Sequence, residues 1–174
     1  GLRLFASARS AGQSLLFRGD AVVVEELTAD ALDGVDIALF SAGGETSRRF
    51  APEAVARGAV VIDNSSAFRM RPEVPLVVPE VNAGAIAAHQ GLIANPNCAA
   101  IIMAVPLWPL HQRNRVRRVI AATYQAASGA GAAAMRELRE STASFLAGQE
   151  YPPRVLAHPY AFNLFSHDTT VDPL

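Results

Sequence analysis

One cysteine, Cys98, closes the run Asn95-Pro96-Asn97-Cys98 between a short apolar segment, Gly91 to Ala94, and a long apolar stretch beginning near Ala99. The pattern predicts a strand, a polar turn and a helix, with the sulfur at the helix N-terminus. Unpaired backbone N–H groups and a partial positive charge there favour thiolate over thiol, so the position suits a nucleophile. A buried, inert thiol is the competing reading, because cysteine also packs as a small hydrophobe.

Four further runs put polar or flexible residues at predicted strand ends. Ser7-Ala8-Arg9-Ser10-Ala11-Gly12 follows the opening strand. In a dinucleotide fold such a tip meets the adenosine ribose, where an acid selects NAD and an arginine accommodates the 2′-phosphate of NADP. Arg9, flanked by Ser7 and Ser10 with no acid beside it in the chain, favours NADP; a plain polar turn is the alternative. Ser41-Ala42-Gly43-Gly44 lets backbone approach a pyrophosphate or nicotinamide closely, or is simply a tight turn. Asp63-Asn64-Ser65-Ser66-Ala67-Phe68-Arg69 places an arginine just past a strand, where its planar fork can hold phosphate or carboxylate. Arg71 offers the same chemistry, and both also read as solvated surface charges. Thr123-Tyr124-Gln125-Ala126-Ala127-Ser128-Gly129-Ala130-Gly131 supplies a glutamine able to donate and accept at once, suited to orienting a substrate. A strand-to-helix turn would look the same.

These tips need strands and helices to hold them. Leu2 to Ala6 reads as a strand, Ala21 to Glu25 as a short edge strand, and Val35 to Phe40, Ala59 to Ile62 and Leu76 to Val78 as further strands. Ser47 is expected to cap a helix running to Arg57, with Gly58 as its stop and Pro52 as a possible break. Val116 to Tyr124 reads as another strand. After the small-residue run to Ala134, Met135, Leu138, Phe145 and Leu146 follow at helical spacing, with Gly148 ending the pattern. Strands alternating with helices predict an α/β fold, a Rossmann-like doubly wound parallel sheet whose ligand site lies at the carboxyl strand ends.

The 174 residues include 15 basic and 16 acidic side chains, and every basic one is arginine. A formal charge of −1 gives no electrostatic footprint for nucleic acid or an anionic membrane. Absent lysine excludes Schiff-base and P-loop lysine chemistry from this stretch. A single cysteine cannot form an internal disulfide, so a reducing, cytoplasmic setting is expected. Ala99 to Leu110 is too short and proline-broken to span a bilayer, and no metal is assigned.

Together these runs, with Pro79-Glu80-Val81-Asn82 and Ala161-Phe162-Asn163, stand in the order and spacing of aspartate-semialdehyde dehydrogenase, and the chain resembles that family over nearly its whole length. The resemblance implies Cys98 as the nucleophile that forms an acyl-enzyme and Gln125 as substrate orienter. It implies Arg69 and Asn97 at the substrate or phosphate, and Ser7, Arg9, Ser10, Ser41, Ala42, Gly43, Ser128 and Gly129 as NADP contacts. The implied reaction is reversible, NADP-dependent reductive dephosphorylation of L-4-aspartyl phosphate to aspartate semialdehyde, towards lysine, methionine and threonine. A homodimer is implied for the full-length enzyme.

Residues 1–97 are expected to form the NADP-binding domain and 98–174 part of an α+β catalytic and dimerisation domain. Both are expected to be incomplete, without the family's Gly-rich phosphate loop and its later catalytic histidine, and this stretch alone is expected to be inactive. Ala99 and Ala100 replace the hydroxyl that usually follows the cysteine. His89, His111 and His158 match no catalytic motif, and His167 beside Asp168 is set aside because the resemblance places the base beyond Leu174. N-acetyl-glutamyl-phosphate reductase shares the thioacyl logic and is the alternative, disfavoured by Asn97 and Tyr124-Gln125; a catalytically inactive fragment is the other.

Overall fold

The computed structural model describes residues 1–165. The chain divides into two compact units, Gly1–Val119 and Ile120–Leu174. In the first, β1 (Leu4–Ala6) pairs parallel with β3 (Asp20–Glu26), and β2 (Ser14–Phe17) pairs antiparallel on the other side of β3. Arg18 and Gly19 turn β2 into β3 with φ of 52° and 93°, the double positive value that matches a two-residue hairpin to the strand twist.

A second sheet is wholly parallel, in the order β4 (Ile37–Phe40), β5 (Val60–Asp63), β6 (Leu92–Ala94). Helix α1 (Gly44–Ala56) crosses from β4 to β5. Its Ala51 and Ala54 pack with Ala38, Phe40 and Val61 in the core, and that packing sustains the helix through Pro52 despite one missing hydrogen bond. The helix ends as expected at Gly58: Ala59 N–H donates to Ala54 O and Gly58 N–H to Val55 O, with Gly58 at φ 92°. That pairing satisfies the last carbonyls of a helix. A short helix α2 (Pro79–Asn82) precedes β6, and α3 (Cys98–Arg113) follows it. The second unit holds a tight turn over Ala127–Ala130 and α4 (Ala132–Leu146). Parallel strands joined by helical crossovers make this the α/β, Rossmann-like plan expected.

Four local expectations are corrected. Ala21 to Glu25 lies at the centre of its sheet, because β2, whose turn lacks the usual Asn-Gly signal, pairs along its other edge. Ser47 does not cap α1; it lies within the helix and is fully buried. Leu76 to Val78 forms a single parallel bridge, Leu76 to Ala94, rather than a strand. Val116 to Tyr124 has no regular structure: among the described residues no strand pairs with it, and Ile120 and Tyr124 are largely exposed. Alternating residues are a pattern; the strand itself needs a hydrogen-bonded neighbour.

Candidate active site

The tips of β4, β5 and β6 are tied side by side. Asn64 N–H donates to Phe40 O and Asn95 N–H to Asp63 O, both at 2.8 Å. Asn95 Nδ2 donates to Asn64 Oδ1 at 2.7 Å, and Asn64 Nδ2 reaches Ser41 Oγ at a long 3.5 Å. Arg69 folds back across this row, its Nε donating to Asn95 O at 2.8 Å and its Nη2 to Asn64 O at 2.9 Å. These bonds fix the half-buried guanidinium and use two of its five N–H donors, which leaves a preoriented edge for an anion. Arg71 has no such anchorage to the strand tips.

Three residues beyond that clamped carbonyl, Cys98 is the first residue of α3 and is exposed. The sequence places this seam correctly, and the buried-thiol reading does not hold. Asn97 is the N-cap: its backbone is extended, and its Oδ1 accepts from Ala100 N–H at 2.8 Å. Its amide nitrogen can still face a ligand. Ala99 and Ala100 are half-buried.

On the cofactor side, Ser7 and Arg9 are exposed and Ser10 half-buried, in a turn where Ser10 and Ala11 N–H groups donate to Ser7 O. The parallel register sets Ala6 opposite Glu26, so the sheet brings an exposed acid to the strand end that carries Arg9. Glu25, by contrast, is held by Arg3 at 2.7 and 3.0 Å, and that hydrogen bond keeps its carboxyl below the usual range. Ser41, Ala42 and Gly43 form an exposed turn in which Gly43 takes φ 89°, strained for any other residue. No side chain caps the first turn of α1. An exposed arginine at one tip, with a small-residue turn and open helical N–H groups at another, fits an anionic dinucleotide.

In the second unit, Gln125, Ser128 and Gly129 are exposed. Tyr160 Oη donates to Gln125 O at 3.2 Å, and Gln125 and Gly129 line a shallow groove with Thr123 and Asn163. Sequence reasoning missed Glu137. Only 4% exposed, it accepts the backbone N–H groups of Arg154, Val155 and Leu156 at 2.7, 2.7 and 3.1 Å. Burial pushes its carboxyl up, but the three N–H donors outweigh this and hold it below the usual range. The available signal was its place on one helical face with Ala134 and Ser141, both buried.

His89 accepts from Gly91 N–H, His111 stacks on Trp108 and His158 tilts against Phe165, all consistent with structural roles. His167 and Asp168 lie outside the described residues. Among the described residues no helix is long and apolar enough to cross a membrane.

The family model described as semialdehyde dehydrogenase, NAD binding domain, matches residues 1–89, and that of the semialdehyde dehydrogenase dimerisation domain matches residues 107–172. The chain is 51% identical over 170 residues to aspartate-semialdehyde dehydrogenase of Synechocystis sp., covering 98% of this chain and 50% of the relative. It is 49% identical over 155 residues to the Bacillus subtilis enzyme of that name, covering 89% and 45%. Among solved structures, aspartate semialdehyde dehydrogenase II of Vibrio cholerae complexed with ASA is similar at a TM-score of 0.89 and 43% identity. That match covers 98% of this chain and 52% of the neighbour. The chain thus spans about half the length of the curated relatives it matches.

Proposed function

The chain belongs to the semialdehyde dehydrogenase family, and from that premise we propose that it serves the reversible reductive dephosphorylation of L-4-aspartyl phosphate to aspartate semialdehyde. The observation that carries this reading is the exposed sulfur at the head of α3, three residues past a carbonyl clamped by Arg69. The relatives' shared name supports the substrate, and the neighbour's complex with ASA supports a small-molecule site.

In the biosynthetic direction the Cys98 sulfur attacks the acyl carbon of aspartyl phosphate. The C–O bond to phosphate breaks, the leaving phosphate takes the electron pair, and a thioester remains. When bound, the dinucleotide would supply the hydride that reduces this acyl carbon. Collapse of the resulting thiohemiacetal then breaks the C–S bond, returns the sulfur and releases the aldehyde. Splitting the reaction at a thioester separates phosphate exchange from hydride transfer. Arg69 holds the phosphate through its uncommitted N–H groups, Asn97 and Gln125 orient the substrate, and Arg9 and Ser10 receive the 2′-phosphate of NADP. Ser7, Ser41, Ala42, Gly43, Ser128 and Gly129 complete the dinucleotide contacts. The same reading makes the protein a homodimer through its dimerisation domain, with a cytoplasmic role towards lysine, methionine and threonine.

The test uses the full-length protein with aspartate semialdehyde, inorganic phosphate and NADP. Phosphate-dependent NADPH formation is expected, and Cys98→Ala is expected to abolish it along with the acyl adduct seen by mass spectrometry. Turnover that survives the substitution would overturn the mechanism. Preference for N-acetylglutamate semialdehyde would overturn the substrate assignment.

A further inference from the structure

Asp63 is fully buried at the tip of β5, and the reaction sequence gives it no task. Its hydrogen-bond partners are two hydroxyls and one amide, all neutral. Oδ1 accepts from Ser47 Oγ at 2.6 Å and from Ser65 N at 3.1 Å, and Oδ2 accepts from Ser65 Oγ at 2.7 Å. Ser65 Oγ in turn accepts from Ala67 N at 3.1 Å. A buried carboxyl is a costly way to end a strand unless its acceptors are all needed.

Here they are needed by a loop. The two nested turns, Asp63 to Ser65 and Ser65 to Ala67, reverse the chain directly after the strand, and Phe68 then packs against the core. Arg69 follows immediately, and only that reversal returns its guanidinium to Asn64 O and Asn95 O. Ser47 connects the same carboxyl to α1, so the loop is referenced to the helix as well as to the sheet. We propose that Asp63 and Ser65 are positioning residues: they hold the 64–69 loop so that the uncommitted edge of Arg69 is set to receive an anion before one arrives. Preorganised donors lose less on binding than donors that must be ordered by the ligand.

This inference rests on the reading of Arg69 as a phosphate ligand, and the experiment separates the two. Inorganic phosphate is titrated against the full-length protein and its dissociation constant read from phosphorus NMR line broadening, for wild type, Arg69→Ala, Ser65→Ala, Ser65→Thr and Asp63→Asn. Circular dichroism of each variant reports folding. Ser65→Ala is expected to weaken phosphate about tenfold, the scale of one displaced charge-assisted hydrogen bond, while Ser65→Thr, which keeps the hydroxyl, restores it. Asp63→Asn preserves the shape, loses one acceptor, and is expected to weaken phosphate in the same direction; it carries the test if Ser65→Ala fails to fold. A purely structural role would lower stability and leave the dissociation constant of the folded fraction unmoved, which would overturn the proposal. Loss of phosphate in Arg69→Ala with no change in either loop variant would overturn it while leaving Arg69 as ligand. Undiminished phosphate binding in Arg69→Ala would overturn both.

Discussion

Gly91 stands at the entry to β6 with φ 90°, and a Cβ added there would lie 2.5 Å from Val55 Cγ1 and 3.3 Å from Val55 Cγ2. Two separate costs follow for Gly91→Ala. The left-handed backbone costs an L residue about 1–2 kcal/mol. The contact adds about 1–3 kcal/mol of overpacking, because a β-branched side chain on a helix has one favoured rotamer and cannot swing aside. Together they amount to roughly 2–5 kcal/mol, a large share of the 5–15 kcal/mol typical of a whole domain. Urea denaturation followed by the single tryptophan, Trp108, reads the loss as a shift of midpoint at constant slope. Val55→Ala removes both methyls and, at a half-buried site, costs about 1 kcal/mol alone. The double variant is therefore expected to be more stable than the sum of the singles predicts, by about 1–3 kcal/mol. If the two substitutions add within about 0.5 kcal/mol, the steric half of the reasoning is wrong; if Gly91→Ala is neutral, both halves are.

Glu137 has a folded-state carboxyl held below its ordinary value, so its contribution to stability is present above that ordinary value and is lost as pH falls through the lower folded one. The urea midpoint is expected to drop along this acid limb, and Glu137→Gln, which leaves one of three backbone N–H groups facing an amide NH2, should flatten the limb and cost about 1–3 kcal/mol at neutral pH. For the cofactor, Arg9→Ala is expected to weaken NADP relative to NAD by about 10- to 100-fold, as loss of a charged hydrogen bond of 1.5–3 kcal/mol would. Glu26→Gln should move the ratio the other way, measured by fluorescence titration of both nucleotides; an unchanged ratio in Arg9→Ala would remove the basis for choosing NADP.

Much of the candidate site's local geometry was legible because its signals are local. Cys98 was placed by an apolar run, a polar turn and a helical run, and Asn97 was already the residue type an N-cap favours. Gly58 stopped α1 because a glycine is what that ending needs. What stayed hidden depends on partners distant in the chain. Nothing in Val116 to Tyr124 reveals that no strand among the described residues pairs with it. Ser47 looks like a cap, yet its hydroxyl is used sixteen residues away by Asp63. Glu26 is far from Arg9 in the chain and comes to the same sheet end only through the parallel register of β1 and β3. Glu137 reads as one more surface acid until the 154–156 amides close over it.

The residues that join β6 to α3 are tied by several hydrogen bonds just ahead of Cys98. Asn95 is used three times: its N–H on Asp63 O, its carbonyl by Arg69 and its side chain on Asn64. Pro96, buried, brings no N–H that would need a partner. Asn97 is extended, caps Ala100 with its side chain, and offers the carbonyl that receives Ile101 N–H to begin the helix. Helix α3 has no fully buried residue among those described, and of its first turn Ala99, Ala100 and Ile101 are half-buried. The direction of that turn is set from the strand side, by hydrogen bonds whose other ends lie on β5 and on Arg69. Under the roles proposed for Arg69 and Cys98, the anion ligand donates to Asn95 O and the nucleophile stands three residues further on, at the head of α3.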